Sequence, residues 1–182
     1  MSLTQYYTAT SLDGFIADER HSLDWLFTRG QDRGGPLNYD AFYAGVGAVA
    51  MGSTTYEWIL DHEDDSAWPY DVPAWVFTNR ELREIPGAQV TFTSGDVRDV
   101  HEGMTQAAGD RNVWIVGGGD LAGQFADAGL LDEVIVYVAP VTLGSGAPLL
   151  PRRVELRLEE TARNGDFVTA RYVVVSAGAE GA

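Results

Sequence analysis

Val113-Trp114-Ile115-Val116 runs straight into Gly117-Gly118-Gly119-Asp120, and that junction is where residue type and spacing first suggest chemistry. A short apolar run closed by glycine reads as a buried strand. Leu121, Phe125, Ala128 and Leu131 then recur at helical spacing, which predicts a helix over Leu121–Leu131. Glycines at a strand-to-helix bend admit positive φ and keep Cβ atoms out of a ligand's way. The unpaired N–H groups at a helix start favour an anion, most often a phosphate. One glycine would serve a plain turn; three in a row favour a place where a ligand approaches the backbone. Asp120 is either the helix cap or a mild repulsion toward that anion. Gly117, Gly119 and Ala122 also fit the G-x-G-x-x-A pattern. The next strand, Val134–Ala139, ends in Ala139-Pro140 without the acid that a Rossmann unit sets against a ribose hydroxyl.

The elements that position this bend follow from the rest of the chain. Thr4–Thr10 is rich in β formers and reads as the first strand, closed by the turn Ser11-Leu12-Asp13-Gly14. Asp18–Gly35 is a long polar loop broken by Leu23–Phe27, of the kind that often serves as a lid. Asn38–Ala44 reads as a short helix with Asn38 as cap and Phe42 inward. Val46–Met51 is a second strand, and Gly52-Ser53-Thr54-Thr55 carries it into a helix over Thr54–Leu60: a second strand–glycine–helix junction, with hydroxyls at the helix start. Asp61–Ser66 reads as a solvated acidic loop. Ala74–Thr78, ending at Asn79-Arg80, and Gln89–Thr93, ending at Ser94-Gly95, are the third and fourth strands, and Val97–Ala108 is a helix. Val154–Thr161 and Phe167–Val175 alternate around Asn164-Gly165, a hairpin signal. Strand–helix units followed by a hairpin predict an α/β fold whose mixed, mostly parallel sheet carries antiparallel strands at the C-terminal end. Ligands in such sheets sit at the carboxyl ends of the strands. One domain over 1–176 is expected, with a disordered tail at 177–182.

Composition removes several classes of function. The net charge of −15 argues against nucleic acid or an anionic membrane surface as partner. All twelve basic residues are arginine, so neither a Walker lysine nor a Schiff-base lysine is possible. Zero cysteines exclude disulfides, thiolate metal sites and a zinc nucleobase deaminase, and no metal site is expected. No apolar run reaches membrane-spanning length. These features fit a cytoplasmic protein.

Four segments together resemble the dihydrofolate reductase superfamily, and within it the C-terminal reductase domain of the bacterial riboflavin-biosynthesis deaminase-reductases. They are Ser11-Leu12-Asp13-Gly14-Phe15-Ile16-Ala17, Met51-Gly52-Ser53-Thr54-Thr55-Tyr56-Glu57, Val116-Gly117-Gly118-Gly119 and Pro140-Val141-Thr142-Leu143-Gly144-Ser145-Gly146-Ala147-Pro148-Leu149. Their order and spacing run from Thr4 to about Tyr172. The resemblance implies a dihydrofolate-reductase-like three-layer fold and hydride transfer from NADPH, with NADH possible, to a pyrimidine- or pteridine-like heterocycle. It implies that Gly52, Ser53, Thr54 and Thr55, with Gly117, Gly118 and Gly119, hold the pyrophosphate, and that Asp120 and Leu121 also belong to the cofactor site. It places Asn79, Arg80 and Ser94 toward the adenosine, with Arg80 on its 2′-phosphate, and it implies a cis peptide at Gly117-Gly118. The family usually has arginine where this chain has Ser53. Its loss removes a charge-assisted phosphate contact of about 1.5–3 kcal/mol, so the nucleotide preference rests on Arg80.

Reduction of a C=N or C=O bond needs a hydride from the cofactor and a proton from an acid or water. The resemblance puts Asp13 and the Asp24-Trp25 segment near the nicotinamide and substrate, and Asp40 where folate-reducing members carry a carboxylate. From residue type alone, Asp13 is equally a turn former, Trp25 core or lid, and Asp40 a solvated helix-start acid. His21, His62 and His101 sit in polar stretches and read as surface residues. Dihydrofolate itself is disfavoured, because Glu57 and Asp61–Asp65 stand where its carboxylates would want an arginine. A folate reductase and a non-catalytic nucleotide-binding module remain as alternatives. The apolar C-terminal hairpin suggests a covered surface and a homodimer.

Overall fold

The computed structural model describes residues 2–62 and 68–175. Most of the acidic loop expected after Leu60 and the whole tail expected after Ala177 lie outside those residues. In chain order the elements are β1 (Thr4–Ser11), β2 (Phe15–Ala17), α1 (Asp24–Phe27), α2 (Tyr39–Ala44), β3 (Val46–Gly52), α3 (Ser53–His62), β4 (Ala74–Phe77) and β5 (Val90–Thr93). They continue with α4 (Val97–Ala108), β6 (Asn112–Gly117), α5 (Gly119–Asp127), β7 (Glu133–Ala139), β8 (Ala147–Pro148), β9 (Leu156–Asn164) and β10 (Phe167–Val174).

Eight strands form one sheet in the order β5-β4-β3-β6-β1-β7-β10-β9. Every pairing from β5 through β7 is parallel, and β10 runs antiparallel to both β7 and β9. The six parallel strands therefore end on a common rim. β3 shows how the sequence builds three layers: Ala48 and Ala50 face one side, Val49 and Met51 the other, all fully buried. The first side packs under Met104 of α4 and Leu121 and Phe125 of α5. The second packs under Tyr56 and Ile59 of α3, with Phe42 of α2 stacked on Tyr7 at 4.2 Å. Asn38 caps α2 by accepting from the Ala41 N–H at 2.9 Å.

α3 runs on through Asp61 and His62, which read as loop, and two other elements differ from their sequence reading for identifiable reasons. The helix expected over Leu121–Leu131 starts at Gly119 and stops at Asp127. Gly129 takes φ +70 and the Leu130 N–H reaches back to the Phe125 carbonyl at 2.9 Å, a C-terminal closure that glycine permits. Leu131 is still buried, but on the closing turn, which is why helical spacing ran past the true end. The hairpin bends at Gly165-Asp166, with Asn164 paired to Phe167 inside the ladder. Asn164 is fully buried; its amide donates to the carbonyls of Asp32 and Pro36 and to Tyr137 Oη, and its carbonyl accepts from the Asp32 N–H. The residue that reads as a turn former instead pins the Gly30–Pro36 loop. The outer strand β9 is largely exposed, with Leu156 and Leu158 among its exposed residues, and Val168 is exposed further along the hairpin on β10.

Candidate functional site

A cleft of about 380 Å³ opens at the carboxyl ends of the central strands. Its floor is Thr8 of β1 with Val116 and Gly117 of β6 and Gly118, the cap residue of α5. One wall is the first two turns of α3, through Thr54, Thr55, Trp58 and Ile59. The start of α5, Gly119 and Asp120, forms the other end. Ile16 and Ala17 of β2, Ala147 and Pro148 of β8, and His21, Leu23 and Tyr70 from loops complete it. β2 and β8 pair with each other, so the two glycine-containing loops around them are held together over the cleft.

The three glycines of the bend differ in what surrounds them. A Cβ on Gly118 would meet only Ile16 Cδ1, at 4.0 Å, and one on Gly52 only the Gly118 nitrogen, at 4.0 Å. Both face open space on the cleft side. A Cβ on Gly119 would instead collide with the carbonyl oxygens of Pro148 and Leu149. Tyr6 Oη donates to that same Leu149 carbonyl at 3.0 Å, fixing the segment against the helix start. The Gly117-Gly118 peptide is cis, as the resemblance implies. The first intrahelical bond of α5 runs from the Ala122 N–H to the Gly118 carbonyl at 3.1 Å. The N–H groups of Gly119, Asp120 and Leu121 therefore have no partner within the helix.

Asp120 stands in the first turn of α5, after the cap residue Gly118. Its carboxylate receives Arg152 Nη2 at 2.8 Å and Gln124 Nε2 at 3.0 Å, and these two bonds hold its pKa below the usual value. Arg152 also donates from Nε to Asp127 Oδ2 at 2.8 Å, and its stem lies across Gly123, where a Cβ would sit 2.8 Å from Arg152 Cγ. The negative charge nearest the helix start is thus countered by a residue far along the chain. Nothing local marks Arg152 for that role.

Of the residues expected at a cofactor, Thr54, Thr55, Gly117, Gly118, Gly119 and Asp120 line the cleft, with Gly52 and Ser53 adjoining. Leu121 is 5% exposed and packs in the core beneath α5. Asn79, Arg80 and Ser94 are exposed beyond the ends of β4 and β5, on the same rim but outside the cleft lining. Arg80 already grips Glu57, with Nη2 at 2.7 Å and Nη1 at 3.2 Å from the two carboxylate oxygens.

None of Asp13, Trp25 and Asp40 lines this cleft. Asp13 accepts from Ser11 Oγ at 2.6 Å and from the backbone N–H groups of Leu143 and Gly144 at 3.0 and 2.7 Å. The Ser11 hydroxyl first, then those N–H groups, pull its pKa down to about 2, so it is a carboxylate at neutral pH that ties the turn after β1 to the Gly144 loop. Trp25 packs against the α3 side of the core. Asp40 is exposed in a separate depression with Gln31, Arg33 and Tyr39. His21 is exposed, as expected, and it lines the cleft; His101 departs from the surface reading. His101 is half-buried, with Nε2 2.7 Å from Thr4 Oγ1, and burial lowers its pKa against the pull of Asp132.

Trp58 and Ile59 were within reach of sequence reasoning, since they fall one turn after Thr54 and Thr55 on the same helix face. Thr8, His21 and Tyr70 carried no such signal: they arrive from a strand interior and two irregular loops.

The layered sheet and its rim cleft define a dihydrofolate-reductase-like protein. Dihydrofolate reductase from Enterococcus faecalis, in complex with NADP(H), superposes with a TM-score of 0.57 at 15% identity, over 96% of this chain and 97% of that one. Residues 58–163 match the RibD C-terminal domain, and the chain belongs to that family. It is 38% identical over 176 residues to the uncharacterized protein YwjB of Bacillus subtilis (strain 168), covering 93% of this chain and 97% of the relative. The structure of a putative riboflavin biosynthesis protein from Shewanella sp. PV-4 is similar with a TM-score of 0.80 at 27% identity, over 96% and 99% of the two chains.

Proposed function

We propose that this chain is a cytoplasmic reductase, forming one domain over residues 1–176, that uses NADPH or NADH to reduce a pyrimidine- or pteridine-like heterocycle. The reaction is of the kind catalysed by 5-amino-6-(5-phosphoribosylamino)uracil reductase. The observation that carries the reading is the pair of unobstructed glycines at the starts of α3 and α5: a Cβ on Gly52 would meet only the Gly118 nitrogen, at 4.0 Å, and one on Gly118 only Ile16 Cδ1, at 4.0 Å. A pyrophosphate fits such a cradle, because helix-start N–H groups and hydroxyls bind phosphate oxygens without needing a cation. Thr54, Thr55 and the N–H groups of Gly119 to Leu121 would hold it, and Arg80, Asn79 and Ser94 would serve the adenosine end. When bound, the nicotinamide supplies the hydride. Thr8, Ile16 and Val116 form a largely apolar floor that keeps water away from the reacting faces. His21 is the proton donor we assign, because it stands in the lining while the Asp120 carboxylate there is engaged by Gln124 and Arg152. Asp13 is excluded from that role by its three donors. Asp40, outside the cleft, weighs against folate as substrate. The exposed Leu156 and Leu158 of β9, the outer strand of the sheet, are where two copies would meet as a homodimer.

Titration of the protein with NADPH, followed by nucleotide fluorescence, tests the reading. Saturable binding below about 1 mM is expected; no response to NADPH or NADH would remove it.

A further inference from the structure

Every cation that a phosphorylated substrate would need can be placed, because all twelve arginines lie among the described residues and the chain has no lysine. None of them lines the cleft. Arg80 is held by Glu57, and Arg152 by Asp120 and Asp127. Arg20 lies in a neighbouring depression that shares His21, Thr54 and Trp58 with the cleft. Asp24, Glu57 and Asp61 line that depression too, three carboxylates against one guanidinium. The helix-start N–H groups that can bind an anion without a cation are those the cofactor's pyrophosphate would occupy.

What the cleft does offer is flat and apolar. Trp58 lies in its wall, backed by His62 stacked at 4.1 Å and 10° and by Phe27 at 6.1 Å and 19°. The layering keeps the indole in one plane, and its buried N–H has no acceptor among the described residues. Ile16, Leu23 and Val116 supply the remaining apolar lining. Stacking and a few hydrogen bonds recognise a planar ring; a phosphate ester entering here would lose water beside the Asp120 carboxylate, with no cation of the lining to replace its hydration.

We infer that the hydride acceptor of this protein is an uncharged planar heterocycle carrying no phosphate ester, bound against Trp58, Tyr70 and Ile16. This rests on the reductase reading and narrows it, since a phosphoribosylated pyrimidine is thereby disfavoured.

A matched pair of ligands tests it: 5-amino-6-ribosylaminouracil and its 5′-phosphate, titrated calorimetrically into full-length protein saturated with NADP⁺, with lumazine as a bare-ring probe. The riboside is expected to bind at least about ten-fold more tightly than the ester. The ester should gain affinity as salt rises from about 50 to about 300 mM, because screening relieves repulsion. Arg20→Ala should leave both affinities unchanged. Equal or tighter binding of the ester, or ester binding that disappears in Arg20→Ala, overturns the inference, as does failure of both the riboside and lumazine to bind at about 1 mM. Saturation with NADP⁺ is established first. Its failure would remove the reductase reading, whereas ester preference with the nucleotide bound removes only the substrate class.

Discussion

Adjacent glycines at the bend of β6 into α5 should respond to the same substitution in opposite ways. In Gly119→Ala the new methyl meets the backbone carbonyls of Pro148 and Leu149, with the Leu149 carbonyl carbon at 2.8 Å. Backbone held by the Tyr6 hydroxyl at 3.0 Å cannot yield as a side-chain tip would. Overpacking of this kind costs about 1–3 kcal/mol. For a chain of 182 residues that is a fall in Tm of roughly 2–12 °C. In Gly118→Ala the methyl has only Ile16 Cδ1 near it, at 4.0 Å, and the fold should barely notice beyond a small capping change. Instead the methyl enters the space proposed for a pyrophosphate. Displacing one charge-assisted contact of about 1.5–3 kcal/mol weakens nucleotide binding by about 10- to 150-fold. Scanning fluorimetry and NADPH titration on both variants separate the effects. A Gly118→Ala protein that binds NADPH like the parent would refute the assignment of that open face to a ligand. A Gly119→Ala protein that melts like the parent would refute the packing argument.

Three further outcomes follow from named contacts. Asp13→Asn should lower Tm at pH 7. Because the native carboxyl is depressed to about 2, the parent's advantage should be full above about pH 4 and close as pH falls through the native value; a gap unchanged at pH 2 contradicts the clamp. Glu57→Gln releases Arg80 from an exposed ion pair of about 0.2–1 kcal/mol. NADPH should then tighten by no more than about five-fold while NADH is unmoved, and parallel changes in the two Kd values would show that Arg80 does not meet the 2′-phosphate. Asn164→Ala strands the carbonyls of Asp32 and Pro36 and the Asp32 N–H. A loss of about 2–4 kcal/mol, or roughly 4–16 °C in Tm, is expected by thermal denaturation, and a neutral result would mean that water replaces the amide.

How far the sequence reached depends on whether the signal was local. α4 begins and ends where expected because Asp96 caps it, accepting from the Arg98 N–H at 2.9 Å, and Gly109 follows with φ +63. The strands of the parallel sheet were legible from apolar runs closed by glycine or polar residues, and with them the glycine bends on the rim. Asn164-Gly165 marked the hairpin, but Asn164's hold on the Gly30–Pro36 loop was not legible, because a turn-forming residue type says nothing about partners about 130 residues away. Leu131 misled because burial on a closing turn has the same spacing as burial on a helix. At the site, residues belonging to the two junctions were found, whereas His21, Tyr70 and the countering Arg152 come from segments that only the tertiary fold brings near. Asp13, expected near the nicotinamide, lies outside the cleft lining, and its three donors tie two loops together.

Hydrogen exchange with and without NADPH tests the central claim most directly, since it reads backbone N–H groups one segment at a time. Slowed exchange should fall on residues 52–55 and 117–121, the starts of α3 and α5, with the depression around Asp40 unchanged. Protection confined to other segments, or none at nucleotide concentrations above about 1 mM, would contradict a rim-bound nicotinamide nucleotide.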